Sequence, residues 1–175
     1  LARADQQRQV LHKENMELSE LVEDVMRKMK LVTKTHSVEL LENESGVIFA
    51  DQVTMRQMMR IFLENSTKYT PAGGHITACS RRTPDGKFMQ LELADDGIGI
   101  AREDQQKVFD RFYRVDSSRT KAQGGVSGTG LGLSIASWIA EQHSIEISME
   151  SELGQGTKMI LRIPLVDQKI RQNNE

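Results

Sequence analysis

A chain of 175 residues suffices for one domain with a short attachment and falls short of two, and 23 Lys plus Arg against 25 Asp plus Glu give no global positive field that would mark a nucleic-acid binder. No apolar run approaches the roughly 20 residues of a bilayer helix, so no span, signal peptide or direct membrane contact is expected of this soluble piece. The single cysteine, Cys79, excludes an internal disulfide framework, and four scattered histidines give no zinc-ligand spacing.

In chain order, the polar stretch to about Asn15 suggests the end of a helix whose partner lies elsewhere. From Leu18 the apolar positions Leu18, Leu21, Val22, Val25 and Met29 predict a first amphipathic helix, with Asn15 as a possible cap. Val38 and Leu40, then Val47 and Phe49, alternate on either side of Asn43-Glu44-Ser45-Gly46 and predict two short strands. Asp51 is placed to cap a long helix whose inner face is Met55, Met58, Met59 and Phe62, ending near Thr70-Pro71-Ala72-Gly73-Gly74. Ile76 and Ala78, then Met89, Leu91 and Leu93, form an antiparallel hairpin through Pro84-Asp85-Gly86. Val108, Phe109 and Phe112 suggest a short helix, and the polar stretch from Arg114 to Ser127 lacks apolar periodicity and is expected to move. Leu133, Ile135, Ala136, Trp138 and Ile139 predict another helix, followed by strands at Ile145-Ile147-Met149 and Met159-Leu161-Ile163 and a polar tail. The order implies an α/β, two-layer sandwich: a mixed, mainly antiparallel sheet covered on one face by helices.

Seven of the 13 glycines fall between Gly97 and Gly132, where backbone must turn sharply or approach a ligand closely. Asp95 ends an apolar strand just ahead of Gly97-Ile98-Gly99-Ile100; it can accept from an exocyclic amine such as that of adenine, or begin an Asx turn. Gly128-Thr129-Gly130-Leu131-Gly132 opens a helix, so its free N–H groups suit phosphate or serve as capping. Asn65 and Lys68, three apart on a helix, offer a hard oxygen for a divalent cation and an ammonium for phosphate, and equally suit a solvated surface. The absence of Gly-Lys-Ser or Gly-Lys-Thr, and of the dinucleotide glycine spacing, points to a different nucleotide fold.

Taken together these segments resemble the ATP-binding domain of sensor histidine kinases, in the superfamily that includes gyrase and the heat-shock chaperone ATPases. Glu64-Asn65-Ser66-Thr67-Lys68-Tyr69-Thr70-Pro71 is similar to its N box, Asp95 to Ile100 to the first glycine box, and Val108 to Arg114 to the F box. Gly128 to Leu133 is similar to the second glycine box and Gly154-Gln155-Gly156-Thr157 to the third. The resemblance covers nearly all of Leu18 to Leu165 and implies the Bergerat ATP-binding fold. It implies an ATP and Mg²⁺ site in which Asn65 holds the metal, Lys68 touches phosphate, Tyr69 packs near adenine and Asp95 accepts the adenine amine. Gly97 and Gly99 would let the ring approach beside Ile98 and Ile100, with Thr157 supporting Asp95. Arg114, Arg119 and Lys121 would contact the γ-phosphate from the lid, or belong to a solvated basic loop. Asn65, Lys68 and Arg114 are then the catalytic set.

The resemblance further implies a protein-histidine kinase whose phosphoacceptor lies in a separate dimerisation hairpin, since none of His12, His36, His75 or His143 has the phosphoacceptor context. Residues 1–15 resemble the end of that hairpin, 16–165 the catalytic domain and 166–175 a polar tail. A response regulator, a homodimeric full-length protein, a cytoplasmic location for this domain and the inner membrane for the whole are implied likewise. Two departures stand out: Ile61 occupies a position where many members carry a second asparagine or the hydrolytic glutamate, and Gln142-His143-Ser144 stands where His-Gly-Gly is frequent. An anti-sigma-type serine kinase and a degenerate nucleotide-binding interaction domain are the alternatives on this fold.

Overall fold

The computed structural model describes residues 9–110, 113 and 132–166. Strand β1 (Lys13–Glu17) leads into helix α1 (Leu18–Val32), then come β2 (Ser37–Asn43), β3 (Val47–Asp51), helix α2 (Gln52–Tyr69), β4 (His75–Arg82) and β5 (Phe88–Asp95). A single turn of helix, α3 (Arg102–Gln105), follows, and after it α4 (Gly132–Gln142), β6 (Glu146–Glu152) and β7 (Gly156–Pro164). Five strands form one sheet in the order β2-β4-β5-β7-β6, with β2 parallel to β4 and the other pairs antiparallel. Helices α1, α2 and α4 cover one face, the two-layer sandwich expected.

The pleat sorts the side chains. Ile76 and Ala78 of β4, Met89, Leu91 and Leu93 of β5, and Met159, Leu161 and Ile163 of β7 point toward the helices and are buried. Against them pack Leu18, Leu21, Val22 and Val25 of α1, the predicted face Met55, Met58, Met59 and Phe62 of α2, and Ala136 and Ile139 of α4. A methionine-rich seam fits this junction because unbranched thioethers fill the irregular space where helices cross strands. Trp138, expected in the core, packs partly buried against it.

Three local expectations are corrected. Lys13–Glu17 is a strand antiparallel to β3, with Asn15 opposite Phe49, so this segment is not helical and Asn15 caps nothing; α1 starts three residues later. The Asn43 to Gly46 turn does bend the chain, but it separates two sheets: β2 joins β4 while β3 joins β1. Val108 and Phe109 lie in tight turns rather than in a helix, with Val108 N donating to Asp104 O and Asp110 N to Lys107 O. The helical turn comes earlier, at α3, where the Gln105 amide is anchored on the carbonyls of Ile100 and Ser151 at 2.9 Å. Phe112 and the polar tail lie outside the described residues.

Asp51 is the expected cap of α2 and does more than cap. Its Oδ1 accepts from Thr54 N at 2.8 Å and Thr54 Oγ1 at 2.9 Å, and its Oδ2 accepts from His12 N at 2.9 Å. Burial raises its pKa, but the hydrogen bonds from Thr54 and His12 outweigh that and hold it below the ordinary carboxylate value. Asp51→Ala should therefore cost about 1–2 kcal/mol, a fall of several degrees in Tm. Because the folded pKa is lowered, the wild-type advantage should be complete above the ordinary carboxylate range and fade as pH falls through the lowered value. Equal melting of the two proteins at neutral pH would refute this role.

Candidate nucleotide site

Strand β5 lies at the centre of the sheet and delivers Asp95 to its end. The carboxylate does not solvate freely there: Oδ1 accepts from Gly97 N at 3.0 Å and Thr157 N at 3.2 Å, and the Ser66 hydroxyl of α2 lies near enough to favour its charged form. Burial is the largest influence on its pKa and pushes it up, past the opposing pull of these bonds, with neighbouring Asp96 adding to the rise. A partly desolvated carboxylate fixed by two amides is an acceptor held in one direction, which suits recognition of an amine on a planar base.

The first glycine segment is stitched to both sides of this acceptor. Ile98 N donates to Tyr69 O at 3.1 Å, at the end of α2, and Ile98 O accepts from Gly154 N at 2.9 Å in the β6–β7 turn. Ile100 N donates to Ser151 Oγ at 2.8 Å, and that hydroxyl donates to Gly156 O and lies 2.8 Å from Thr157 Oγ1. Close approach of main chain to main chain explains the glycines: a Cβ on Gly99, at φ 72°, would sit 2.0 Å from Glu152 O, and one on Gly156 the same distance from Asp95 O. Gly97 is crowded likewise, by Tyr69 O at 2.6 Å. These glycines are therefore required by the protein's own backbone, a reason that spacing in the sequence did not reveal.

Of the expected site residues, Asp95, Gly97, Ile98, Gly99, Ile100 and Thr157 come together here, with Thr157 supporting Asp95 through its main-chain N–H. Asn65, Lys68 and Tyr69 are half-buried along the last turns of α2, which the Tyr69–Ile98 bond ties to the same loop. The Lys68 ammonium lies 5.2 Å from the centre of the Tyr69 ring, a cation–π contact. A groove of about 830 Å³, nucleotide-sized, is lined by Asp95, Ile100, Ser151 and Thr157 together with Arg102 and Lys158; Asn65, Lys68 and Tyr69 are not among its lining residues. Arg114, Arg119, Lys121, Gly128, Thr129, Gly130 and Leu131 lie outside the described residues. Gly132 begins α4, facing Ile61, whose Cγ2 lies 3.4 Å from where a Cβ would stand. Ile61 thus serves the contact between α2 and α4. Sequence reasoning missed Ser66 and Ser151; each stands beside or across from a recognised box residue, but serine alone carries no pattern.

The four histidines have structural or surface partners. His36 Nε2 meets Thr70 O at 2.6 Å, His75 Nδ1 meets Asp96 Oδ2 at 2.8 Å, His12 contributes its main-chain N–H to Asp51, and His143 is buried. Ser144 adopts φ 54°, with Ile145 N donating to Ala140 O and Ser144 N to Glu141 O, a Schellman ending in which serine stands in the left-handed position usual for glycine.

Residues 50–167 match the family described as histidine kinase-, DNA gyrase B- and HSP90-like ATPase. The sensor histidine kinase WalK of Bacillus subtilis is 36% identical over 141 residues, 79% of this chain and 23% of that protein. The sensor protein SrrB of Staphylococcus aureus is 40% identical over 114 residues, 65% of this chain and 19% of that protein. The chain therefore spans about a quarter of the length of such relatives. In fold it is similar to the mycobacterial sensor histidine kinase MprB, with TM-score 0.74 at 20% identity, over 88% of this chain and 98% of that one. It is also similar to ShkA, solved full-length with AMPPNP, with TM-score 0.72 at 24% identity, over 90% of this chain and 32% of that one. The chain belongs to the histidine kinase-, DNA gyrase B- and HSP90-like ATPase family.

Gly99 and Gly86 separate two costs. Both have positive φ, but nothing lies within 4 Å of a Cβ at Gly86. Gly86→Ala should lose about 1 kcal/mol from backbone strain, whereas Gly99→Ala should lose at least about 2 and loosen the site. Denaturant melts that show equal losses would remove the steric argument.

Proposed function

We propose that this member of the ATPase family is the ATP-binding catalytic domain of a two-component sensor histidine kinase, acting on a histidine in a separate dimerisation hairpin. The observation that carries the reading is the Asp95 carboxylate, desolvated and aimed by Gly97 N and Thr157 N at the end of β5. Asp95 accepts the adenine amine, Tyr69 flanks the base, and Lys68 reaches phosphate from the same helix. Arg114, Arg119 and Lys121 approach the γ-phosphate, and the amides of Gly128 to Gly132 receive the remaining phosphate oxygens. Asn65 supplies one hard oxygen to Mg²⁺. A single side-chain amide oxygen suits an ion otherwise held by phosphates and water, the habit of Mg²⁺. When bound it neutralises phosphate charge.

In the transfer, a histidine ring nitrogen of the hairpin forms the N–P bond as the bond from the γ-phosphorus to the bridging oxygen breaks, releasing ADP. Positioning and charge neutralisation supply most of such catalysis. Ile61, filled in against Gly132, leaves no carboxylate at the position that activates water in hydrolytic relatives, which favours transfer over hydrolysis. The group then passes to a response regulator. We place this domain in the cytoplasm, with a homodimeric parent protein in the inner membrane; no described helix is long and apolar enough to cross a bilayer.

Calorimetric titration with ATP, with and without Mg²⁺, tests the site. The wild type should bind, more tightly with Mg²⁺, while Asp95→Asn should bind about 10–100-fold more weakly, the loss of one hydrogen bond to a charged acceptor. Since the folded pKa of Asp95 is raised, its ionisation costs stability as pH rises through the carboxylate range, and Asp95→Asn should melt no lower than the wild type at neutral pH. ATP affinity equal in the two proteins would refute the assignment. With a hairpin added, the phosphorylated product should be acid-labile, as a phosphoramidate is; an acid-stable ester would indicate a serine kinase instead.

A further inference from the structure

Helix α4 begins at Gly132, inside the second glycine box, and runs to Gln142, so what anchors its far end bears on the placement of its first turn. His143 stands directly after that far end. Its Nδ1 lies 2.7 Å from Ile139 O, one turn back in α4, and its Nε2 lies 3.1 Å from Asp51 N, at the junction of β3 and α2. A carbonyl only accepts and an amide N–H only donates, so the two distances together require a neutral ring with hydrogen on Nδ1 and a lone pair on Nε2. No other protonation state satisfies both contacts. The buried ring thus joins α4 to the residue that caps α2.

The incoming chain meets the same joint. His12 N donates to the other oxygen of Asp51, and Lys13 Nζ donates to Gln142 O, the last residue of α4. The charged groups facing the ring are therefore Lys13 from β1, which opposes protonation, and Asp51 from β3, which favours it; desolvation, reinforced by Lys13, outweighs the hydrogen bond to Ile139 O and the charge of Asp51 and holds the histidine below its ordinary value.

We propose that His143 is a positioning residue for nucleotide binding: its neutral ring pins α4 to Asp51 at the point where β1 enters, and so aligns the phosphate-binding start of α4. Protonation removes the Nε2 acceptor and leaves Asp51 N–H buried without it. Loss of the joint lets α4 pivot on its contact with Ile61 and weakens the hold on phosphate. The proposal rests on the ATP-binding reading above and names a residue that touches no nucleotide.

The test uses the 175-residue chain. Two-dimensional ¹H–¹⁵N spectra of the imidazoles across pH 5–8 should show His143 as the Nδ1–H tautomer, titrating below ordinary histidines. ATP affinity, measured over the same range, should fall for the wild type as His143 protonates. His143→Leu should bind ATP about tenfold more weakly at pH 7.5, and its deficit should shrink as pH falls; His143→Gln, with one donor and one acceptor, should recover part of the affinity. Comparing profiles between variants cancels the contribution of every group that the variants share. An Nε2–H tautomer overturns the proposal even where a variant fails to fold. So does a His143→Leu profile that parallels the wild type at every pH. A wild type with the Nδ1–H tautomer that binds no ATP at any pH refutes instead the nucleotide reading, and with it the positioning role, while leaving the joint in place.

Discussion

The site hangs on one carboxylate at the end of the central strand. Asp95 is held by an amide two residues ahead in its own loop and by the first residues of β7, a neighbour only because β5 and β7 pair along their whole length, Phe88 opposite Pro164 and Asp95 opposite Thr157. Slipping that register by one residue would turn Leu91 and Leu93 to the open face and carry Thr157 away from Asp95 together. The apolar stripe that makes the core thus also sets the direction of the acceptor. Core and site are one constraint in this sheet.

The arrangement has a cost, and its sign is readable. Asp51 and Asp95 are both shielded carboxylates with several donors, yet their pKa values move in opposite directions. At Asp51 the hydrogen bonds win, and ionisation stabilises the fold; at Asp95 desolvation wins, and ionisation strains it. The first behaves as a structural cap. The second keeps a shielded acceptor at some expense of stability, which is consistent with the amine recognition proposed for it.

Much of this was legible in the sequence, for identifiable reasons. The faces of α1 and α2, the hairpin at Pro84-Asp85-Gly86 and the alternation in β7 were visible because period and turn chemistry agree there. Strand β1 was not, because Lys13-Glu14-Asn15-Met16-Glu17 has almost no apolar content and becomes a strand only through pairing with β3. The turns at Val108 and Phe109 mimicked a helix because two adjacent apolar residues fit the inner face of either. In the site, Asp95 and its glycines were legible as a cluster, but the reason for Gly99 was not: the atom that excludes a side chain belongs to Glu152, far along the chain. Ser66 and Ser151 were invisible for the same reason, since a serine's partner is a matter of topology.

Ile61 illustrates how a departure from a family pattern acquires meaning only in three dimensions. In the sequence it is a missing ligand or a missing base. In the structure it fills the contact between α2, which carries Asn65 and Lys68, and α4, whose first residue closes the second glycine box. An apolar side chain there couples the two helices directly, where a polar one would have to be solvated or paired. Both helices then respond to the same packing, and the far end of α4 is held by His143 and Asp51. Between these two contacts α4 is held at both ends: one apolar contact at Gly132, one hydrogen-bonded pin where β1 meets the end of the helix. In the proposed transfer to a histidine carried elsewhere, this connection would tie the position of the entering chain to the Gly132 end of α4.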